Sequence, residues 1–276
     1  MQQPTLTTRL RRRGRSPAAA GLGLGLLITA LGLLPAHLRA EAIEGKPVTL
    51  QEVGNLKLRP IAAGNFLMGR TQGDRGEKPA TGVTLTQPYW LGATEVTQGQ
   101  WSAVMGNNPS HFKGSNLPVE SVTYSDALEF CRKVTERERA AGRLPAGYEY
   151  TLPSEAQWEY ACRAGSTGDY AGDLDAMGWY SRNSGGKTHE VGGKQANAWG
   201  FYDMHGNVWE WCLDWYGNYP GGHETDRRGA PSGTSRVNRG GSWLDLASSC
   251  RSAYRRHSPS LSNLSLGFRL ALSPVP

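Results

Sequence analysis

Cysteine is scarce in this sequence. The chain has four cysteines among 276 residues, Cys131, Cys162, Cys212 and Cys250, and no two of them form a CxxC pair. This spacing excludes a zinc ribbon and a thioredoxin-type redox motif. Because no cysteine precedes Cys131, lipid attachment through a signal-peptide cysteine is excluded as well. Two interpretations stay open for the thiols: pairing in an oxidising compartment, and burial as free cysteines.

Several short catalytic and nucleotide-binding motifs are also absent. The six histidines form no HxH or HExxH pattern, and the chain contains no GxSxG segment. The glycine-rich stretch GGKQANAWG carries a lysine but lacks the spacing of a P-loop. The sequence therefore gives no support for a zinc hydrolase, a serine hydrolase of the nucleophile-elbow type or a P-loop nucleotidase.

Acidic residues are missing from the first 40 positions, which hold six of the 30 lysines and arginines. Basic residues, an apolar run over 18–36 and small residues at Ala40 and Ala42 are typical of an export signal over 1–42. Without residues 1–40, 24 basic residues face 24 acidic ones, which removes the positive surplus of a nucleic-acid binder. We therefore expect a periplasmic or secreted protein that does not bind nucleic acid and has no membrane span after signal cleavage. Retention of the apolar run as an N-terminal anchor is the alternative.

The rest of the chain predicts one domain. Residues 43–57 look like a linker, and no break in composition divides 58–276. Apolar runs over 61–69 and 83–91 predict two strands in a hairpin-like arrangement. From Gly165 onward the glycine-, serine- and asparagine-rich sequence predicts ordered loops with short strands.

Capping patterns predict where the helices begin. Thr97 precedes Gln100 by three residues, and Ser154 precedes Gln157 in the same way, so each pair is expected to open a helix. Residues 121–141 place apolar side chains on one face and charged ones elsewhere, which predicts an amphipathic helix with a solvated side.

The stretch 197–215 differs from every other part of the sequence. It reads NAWGFYDMHGNVWEWCLDW and contains four of the nine tryptophans around a Gly-Asn pair. Asp203, Glu210 and Asp214 supply the hard oxygen ligands that Ca²⁺ prefers. These residues indicate a tightly folded segment that a metal ion could hold together.

Seven phrases of the sequence occur in one order and together resemble the sulfatase-modifying-factor family, whose name-giving member is the formylglycine-generating enzyme. The match runs from about Ile61 to Leu272. The phrases are GNFLMG, PYWLGATEVTQGQW, NNPSHFKGSNLPVESVTYSDALEFC, LPSEAQWEYACRAG, GFYDMHGNVWEW, RVNRGGSW and LGFRLA. The resemblance implies a single α+β domain of C-type-lectin-like fold that is low in regular secondary structure.

The resemblance breaks at the family's active site. Catalytic members hold copper between two cysteines five residues apart, shortly after a GGS motif, because two thiolates favour Cu(I). Aligned on the GGS motif at 240–242, this chain has Asp245 in the first position and Cys250 in the second. Aligned on the later arginines at 251–255, the whole cysteine loop is shortened. Both alignments lose the pair, so we expect neither copper nor formylglycine synthesis.

For one calcium site of the family, in contrast, every required donor has a counterpart in this sequence. The resemblance maps it onto carboxylates from Asp203 and Glu210 and backbone carbonyls from Gly206 and Val208. The alternative is that Glu210 is a buried carboxylate paired with an arginine such as Arg236 or Arg269. The resemblance also implies a disulfide between Cys162 and Cys250.

The favoured function is therefore an exported binding or accessory module. Residues 243–266 resemble the C-terminal segment of lectin-like proteins diversified by retroelements, which predicts a protein or peptide ligand on this face. An ordinary surface loop is the alternative. A second hypothesis is an oxidase with a different mechanism, for which the candidate catalytic residues are Asp245, Cys250 and His257. A true sulfatase-activating oxidase ranks third.

Overall fold

Four α-helices and three small β-sheets make up the part of the chain described in this computed structural model, residues 45–275. The predicted export signal over 1–42 lies outside the described residues. The helices are α1 (Gln98–Met105), α2 (Tyr124–Ala140), α3 (Glu155–Arg163) and α4 (Leu174–Met177). This mixture of elements confirms the predicted α+β class.

The largest sheet has five strands in the order β1-β2-β5-β12-β6, and its pairs are antiparallel. Its strands are Val48–Leu50 (β1), Leu56–Ile61 (β2), Tyr89–Gly92 (β5), Ala271–Pro274 (β12) and Tyr148–Thr151 (β6). The sheet thus joins the beginning of the described chain to its end.

Two smaller sheets complete the fold. A three-stranded sheet contains Gly64–Met68 (β3), Thr81–Leu85 (β4) and His223–Thr225 (β8) in that order. A four-stranded sheet has the order β10-β9-β7-β11. Its strands are Arg255–Ser258 (β10), Arg236–Arg239 (β9), Trp209–Trp215 (β7) and Leu266–Gly267 (β11).

Helix beginnings follow the predicted capping patterns. The side chains of Thr97 and Ser154 each accept a hydrogen bond from the backbone N–H three residues on, and the glutamine at that position accepts one through Oε1 from the backbone N–H of the cap residue. Thr123 and Asp126 form the same reciprocal cap at the start of α2. Both orphan donors are satisfied within four residues, so the signal is local and readable from sequence. At the end of α3, Ala164 (φ 45°) takes the left-handed cap position next to Gly165.

The predicted hairpin is present, but its second strand is divided. Strand β3 pairs with β4 over Gly64 to Met68, whereas β5 leaves that sheet and pairs with β2. The linker-like interpretation of 43–57 is wrong from Val48 onward. Strand β1 pairs with β2, and Leu50, Val53 and Leu56 are buried in the core. Burial of three apolar side chains within seven residues fixes this segment to the domain.

Aromatic rings fill much of the core. Trp101 of α1 stacks on Phe130 of α2 with 5.7 Å between ring centroids, and Phe268 meets both rings edge-on. A second apolar cluster lies around Trp158 of α3, where Phe201 and Cys212 are buried. Among the described helices, none has the length and apolar character needed to cross a membrane.

Candidate functional site

A buried ion pair lies at the centre of the segment singled out from the sequence. Arg269 donates from Nε and Nη2 to the two carboxylate oxygens of Glu210, at 2.6 Å each. The indole Nε1 of Trp158 donates to the same carboxylate at 2.7 Å. Both side chains are completely buried. Arg269, one of the two arginines named as possible partners, thus pairs with Glu210. Arg236 instead stacks over Trp215, 3.3 Å from its ring centroid.

The register of the small sheet explains why these two residues meet. Strand β11 pairs in parallel with β7, and Gly267 lies opposite Glu210. Arg269 is two residues beyond Gly267, and its Nη1 and Nη2 also donate to the carbonyls of Gly92 and Tyr202, at 3.0 Å each. The arginine thus fastens three separate chain segments to one carboxylate.

Two more buried carboxylates surround this pair, and we name Glu95, Asp203 and Glu210 the carboxylate cluster. Glu95 accepts hydrogen bonds from the backbone N–H of Val208 at 3.0 Å and from Asn207 Nδ2 at 2.7 Å. Burial raises the pKa of Glu95 well above its usual range, and the negative charges of Asp203 and Glu210 raise it further. Burial likewise raises the pKa of Asp203 to about 6.

Backbone geometry between Asp203 and Glu210 is unusual. Asp203 itself has φ of 58° and Gly206 has φ of 138°, both in the region that disfavours side chains. A Cβ at Gly206 would lie 2.2 Å from the carbonyl oxygen of Trp179, so only glycine fits there. The tight turn brings Asp203, Val208 and Glu210 close to Glu95.

The cluster fits a divalent cation in charge. Three carboxylates face one guanidinium, and Asp203 Oδ1 is buried without a hydrogen-bond partner, whereas its Oδ2 accepts from Gly192 N–H at 2.7 Å. Both oxygens of Glu210 already accept hydrogen bonds from Arg269, so a bound ion and this arginine would share the Glu210 carboxylate. Among the described residues, no group of three or more His, Cys, Asp or Glu side chains is arranged as a metal site. The predicted set needs only two carboxylates, with carbonyls completing it.

Asp245 is held firmly in place rather than free for chemistry. Its Oδ2 accepts from Trp209 Nε1 at 2.8 Å and from the hydroxyl of Ser242, and its Oδ1 lies 3.8 Å from Arg256 Nη1. Its backbone carbonyl accepts from Ser181 N–H at 3.0 Å. The side chain thereby ties the loop after β9 to β7.

The disulfide prediction between Cys162 and Cys250 is not met in the structure, where all four cysteines are free and buried. His205 contacts both residues. Cys162 Sγ lies 3.9 Å from both ring nitrogens, and His205 Nδ1 bonds the Cys250 carbonyl at 2.8 Å. His205 Nε2 accepts from the Ala171 N–H at 3.1 Å. Burial lowers the pKa of His205 to about 4, so the imidazole there is neutral.

The remaining catalytic candidates have separate surroundings. Burial raises the pKa of the Cys250 thiol far above its usual range, which disfavours the thiolate needed for nucleophilic attack or metal ligation. His257 is exposed on β10 and lies against Tyr216 with 4.3 Å between ring centroids. No hydrogen bond joins Asp245, Cys250 and His257 to one another among the described residues.

Exposed leucines gather on the segment predicted to bind a ligand. Six large apolar side chains are exposed in the described chain, and four of them lie within 243–266. They are Leu244, Leu246, Leu261 and Leu264, and with Trp243 we name them the apolar face. Trp243 Nε1 donates to the Leu264 carbonyl at 3.3 Å, which joins the two halves of the segment. The ring of Phe112 supports Trp243 edge-on at 5.4 Å.

A match to the sulfatase-modifying factor enzyme 1-like domain covers residues 52–274. The chain belongs to this family. It is 33% identical to the chaperone protein LppX of Paenibacillus barcinonensis over 219 residues, covering 62% of this chain and 75% of that protein. It is 31% identical to the formylglycine-generating enzyme of Mus musculus over 211 residues, covering 68% of this chain. The chain spans about half of that enzyme, 52% of its length.

Two solved structures share the fold of this chain. Treponema denticola variable protein 1 superposes with a TM-score of 0.75 and is 34% identical, covering 83% of this chain and 99% of that one. PvdO from Pseudomonas aeruginosa superposes with a TM-score of 0.72 over 83% of this chain and 98% of that one. Its identity is 24%, so this likeness shows the fold alone.

Sequence reasoning missed two groups of buried charges. Glu95 stands within the quoted family phrases, but nothing in its local pattern marks it as buried beside Asp203, 108 positions away. A second network, also unforeseen, has Arg239 paired with Glu159 and lying 3.5 Å from Glu155, which itself pairs with Arg255. The only signal in the sequence was the spacing of the glutamates on α3, three or four positions from apolar residues. The same spacing occurs on solvated helix faces, so it does not show that these carboxylates are buried.

Proposed function

We propose that this protein is a noncatalytic binding or accessory module whose apolar face takes a protein or peptide ligand. One observation carries the proposal: four of the six large apolar side chains that are exposed in the described chain lie within residues 243–266. Leu246 is 71% exposed and Leu261 is 66% exposed. Apolar side chains concentrated on one surface are typical of interaction sites.

The support beneath the apolar face favours recognition over chemistry. Asp245 bonds Trp209 and Ser242, and Cys250 is buried, so the loop ends are fixed while the leucines project outward. A rigid scaffold with side chains varied on its loops suits binding. The names of two relatives, a chaperone and a variable protein, agree with a role other than cysteine oxidation. Export to the periplasm or beyond is part of the same proposal.

The ligand proposal is tested by selecting a random peptide library on the purified protein. The affinity of the selected peptides is expected to be at least tenfold lower, by about 1.4 kcal/mol, for the double variant Leu246→Asp and Leu261→Asp than for the wild type. Isothermal titration measures both affinities. Leu67→Asp is the matched control, since Leu67 is 55% exposed and lies on β3 outside the apolar face.

Two outcomes contradict the proposal. Peptides that bind the double variant and the wild type equally would place recognition elsewhere. Copper-dependent turnover of a Cys-x-Pro-x-Arg peptide by the purified chain would make the protein an oxidase. Such turnover is not expected, because the single buried thiol of Cys250 cannot supply the two thiolates that Cu(I) favours.

We also propose that the carboxylate cluster binds calcium, with Asp203 and Glu210 as side-chain ligands and the carbonyls of Gly206 and Val208 completing the site. A bound divalent ion would balance the excess of carboxylates over Arg269 and occupy the unpartnered oxygen of Asp203. The ion's contribution would be structural, because the cluster is buried within the core.

Calcium binding predicts a ligand-dependent gain in stability. Adding Ca²⁺ at a hundred times its dissociation constant to EDTA-treated protein is expected to add about 2.7 kcal/mol, seen as a rise in melting temperature. Asp203→Asn is expected to abolish the rise, whereas Asp175→Asn, on the exposed part of α4, is expected to retain it. Absence of both binding heat and a melting shift in the wild type would remove calcium from the account.

A further inference from the structure

A pocket outside the apolar face and the carboxylate cluster lies beside β1 and β2. Lys57 and Arg59 are two positions apart on β2, so their side chains leave the strand on the same side. Thr49 on β1 pairs with Lys57 and therefore shares that side. These residues line a cavity of about 370 Å³, within the range that holds small molecules.

The charge of this pocket is entirely positive. Lys57 and Arg59 are the charged residues that line it, and no aspartate or glutamate lines it. Within residues 45–275, neither cation has a carboxylate within ion-pair distance, although every other buried or half-buried arginine discussed above has an anion, a carbonyl or a ring beside it. The Arg59 Nε is buried and has no hydrogen-bond partner. The positive charge of the pocket is therefore not balanced by any carboxylate on its lining, and a bound anion would supply the missing negative charge.

Backbone geometry at Gly200 leaves room for the guanidinium of Arg59. Gly200 has φ of 81°, and a Cβ at this residue would lie 2.6 Å from Arg59 Cζ. The absent side chain leaves room for the guanidinium to lie directly against this turn. Gly200 is part of the tryptophan-rich segment 197–215, whose folding is fixed by the core. The close approach of Arg59 to this turn therefore depends on the glycine.

We propose that this pocket binds a small organic anion through a phosphate or carboxylate group. Arg59 supplies planar, paired N–H donors that suit the oxygens of either group, and Lys57 supplies a point charge. Thr49, Thr94 and Tyr202 line the same cavity beside the two cations. This site goes beyond the proposed function, since it shares no residue with the apolar face or the carboxylate cluster.

The test is isothermal titration of the full chain with pyrophosphate and, separately, with citrate, at matched ionic strength, with glucose as the neutral control. At least one anion is expected to bind, and Arg59→Gln is expected to weaken its binding about tenfold or more, since charged hydrogen bonds are the stronger kind. Lys57→Gln is expected to weaken binding by a smaller factor. Arg139→Gln, which removes an exposed arginine of α2, is expected to leave binding unchanged.

The two anions distinguish a phosphate ligand from a carboxylate ligand. Binding of pyrophosphate alone assigns a phosphate ligand, and binding of citrate alone assigns a carboxylate ligand. The proposal is overturned if neither anion binds with a dissociation constant below about 10 mM, or if both variants bind as the wild type does. Should Arg59→Gln fail to fold, Lys57→Gln decides the question, because Lys57 is exposed and its replacement leaves the core intact.

Discussion

Replacing Arg269 with methionine is expected to lower the free energy of unfolding by about 3–5 kcal/mol in calcium-free buffer. The substitution leaves the buried carboxylate of Glu210 without its guanidinium partner, with Trp158 as its remaining side-chain donor. It also removes the positive charge that faces Glu95 and Asp203. Urea unfolding, followed by tryptophan fluorescence, measures the change.

The control for this prediction is Arg132→Met. Arg132 also bonds two oxygens of one carboxylate, Glu129, but this pair is exposed on the surface of α2. Surface ion pairs contribute little, so the control is expected to unfold close to the wild type. Equal unfolding midpoints for Arg269→Met and Arg132→Met would mean that burial does not set the strength of the pair with Glu210.

The second large effect concerns pH and Asp214. This residue of β7 is buried, with one oxygen accepting from Glu155 N–H at 2.8 Å and the other without a partner. Burial raises the pKa of Asp214 to about 7, and the negative charge of Glu155 adds to the rise. In the unfolded chain an aspartate titrates near pH 4, so between about pH 4 and 7 only the folded protein keeps this proton.

The contribution of Asp214 to the free energy of unfolding therefore falls as the pH rises from about 4 to 7. The three pKa units correspond to about 4 kcal/mol lost between pH 4 and pH 7. Asp214→Asn carries no titrating proton, so its stability relative to the wild type is expected to increase over the same range. Urea unfolding of both proteins at pH 4.5 and pH 7.5 measures this difference, with the exposed Asp175→Asn as a control. A difference that does not change with pH would contradict the raised pKa.

Local signals in the sequence predicted the local features of the fold. Reciprocal caps such as Thr97 with Gln100 lie within four residues, so their chemistry can be read from one short window. The paired strands β3 and β4 are separated by one charged loop, and their pattern was equally readable. The family phrases supplied the fold class, because their order carries information that no single window contains.

Long-range features were the ones that sequence reasoning missed or misassigned. Strand β1 has three residues, too few for an alternating pattern, and β2 depends on β5 about thirty positions later. Residues 43–57 therefore looked like a linker. The expected bridge between Cys162 and Cys250 came from the family alone, and no spacing rule could show that His205 contacts both residues.

The position of β12 has a consequence for how the protein is made. This strand, Ala271–Pro274, lies between β5 and β6 and bonds to both. Until the ribosome has released these residues, β5 and β6 have no neighbour on their facing edges, and the largest sheet remains in two parts. The domain therefore completes its largest sheet only after nearly all of its own residues have been synthesised, so a fragment that stops before Ala271 would leave this sheet in two parts.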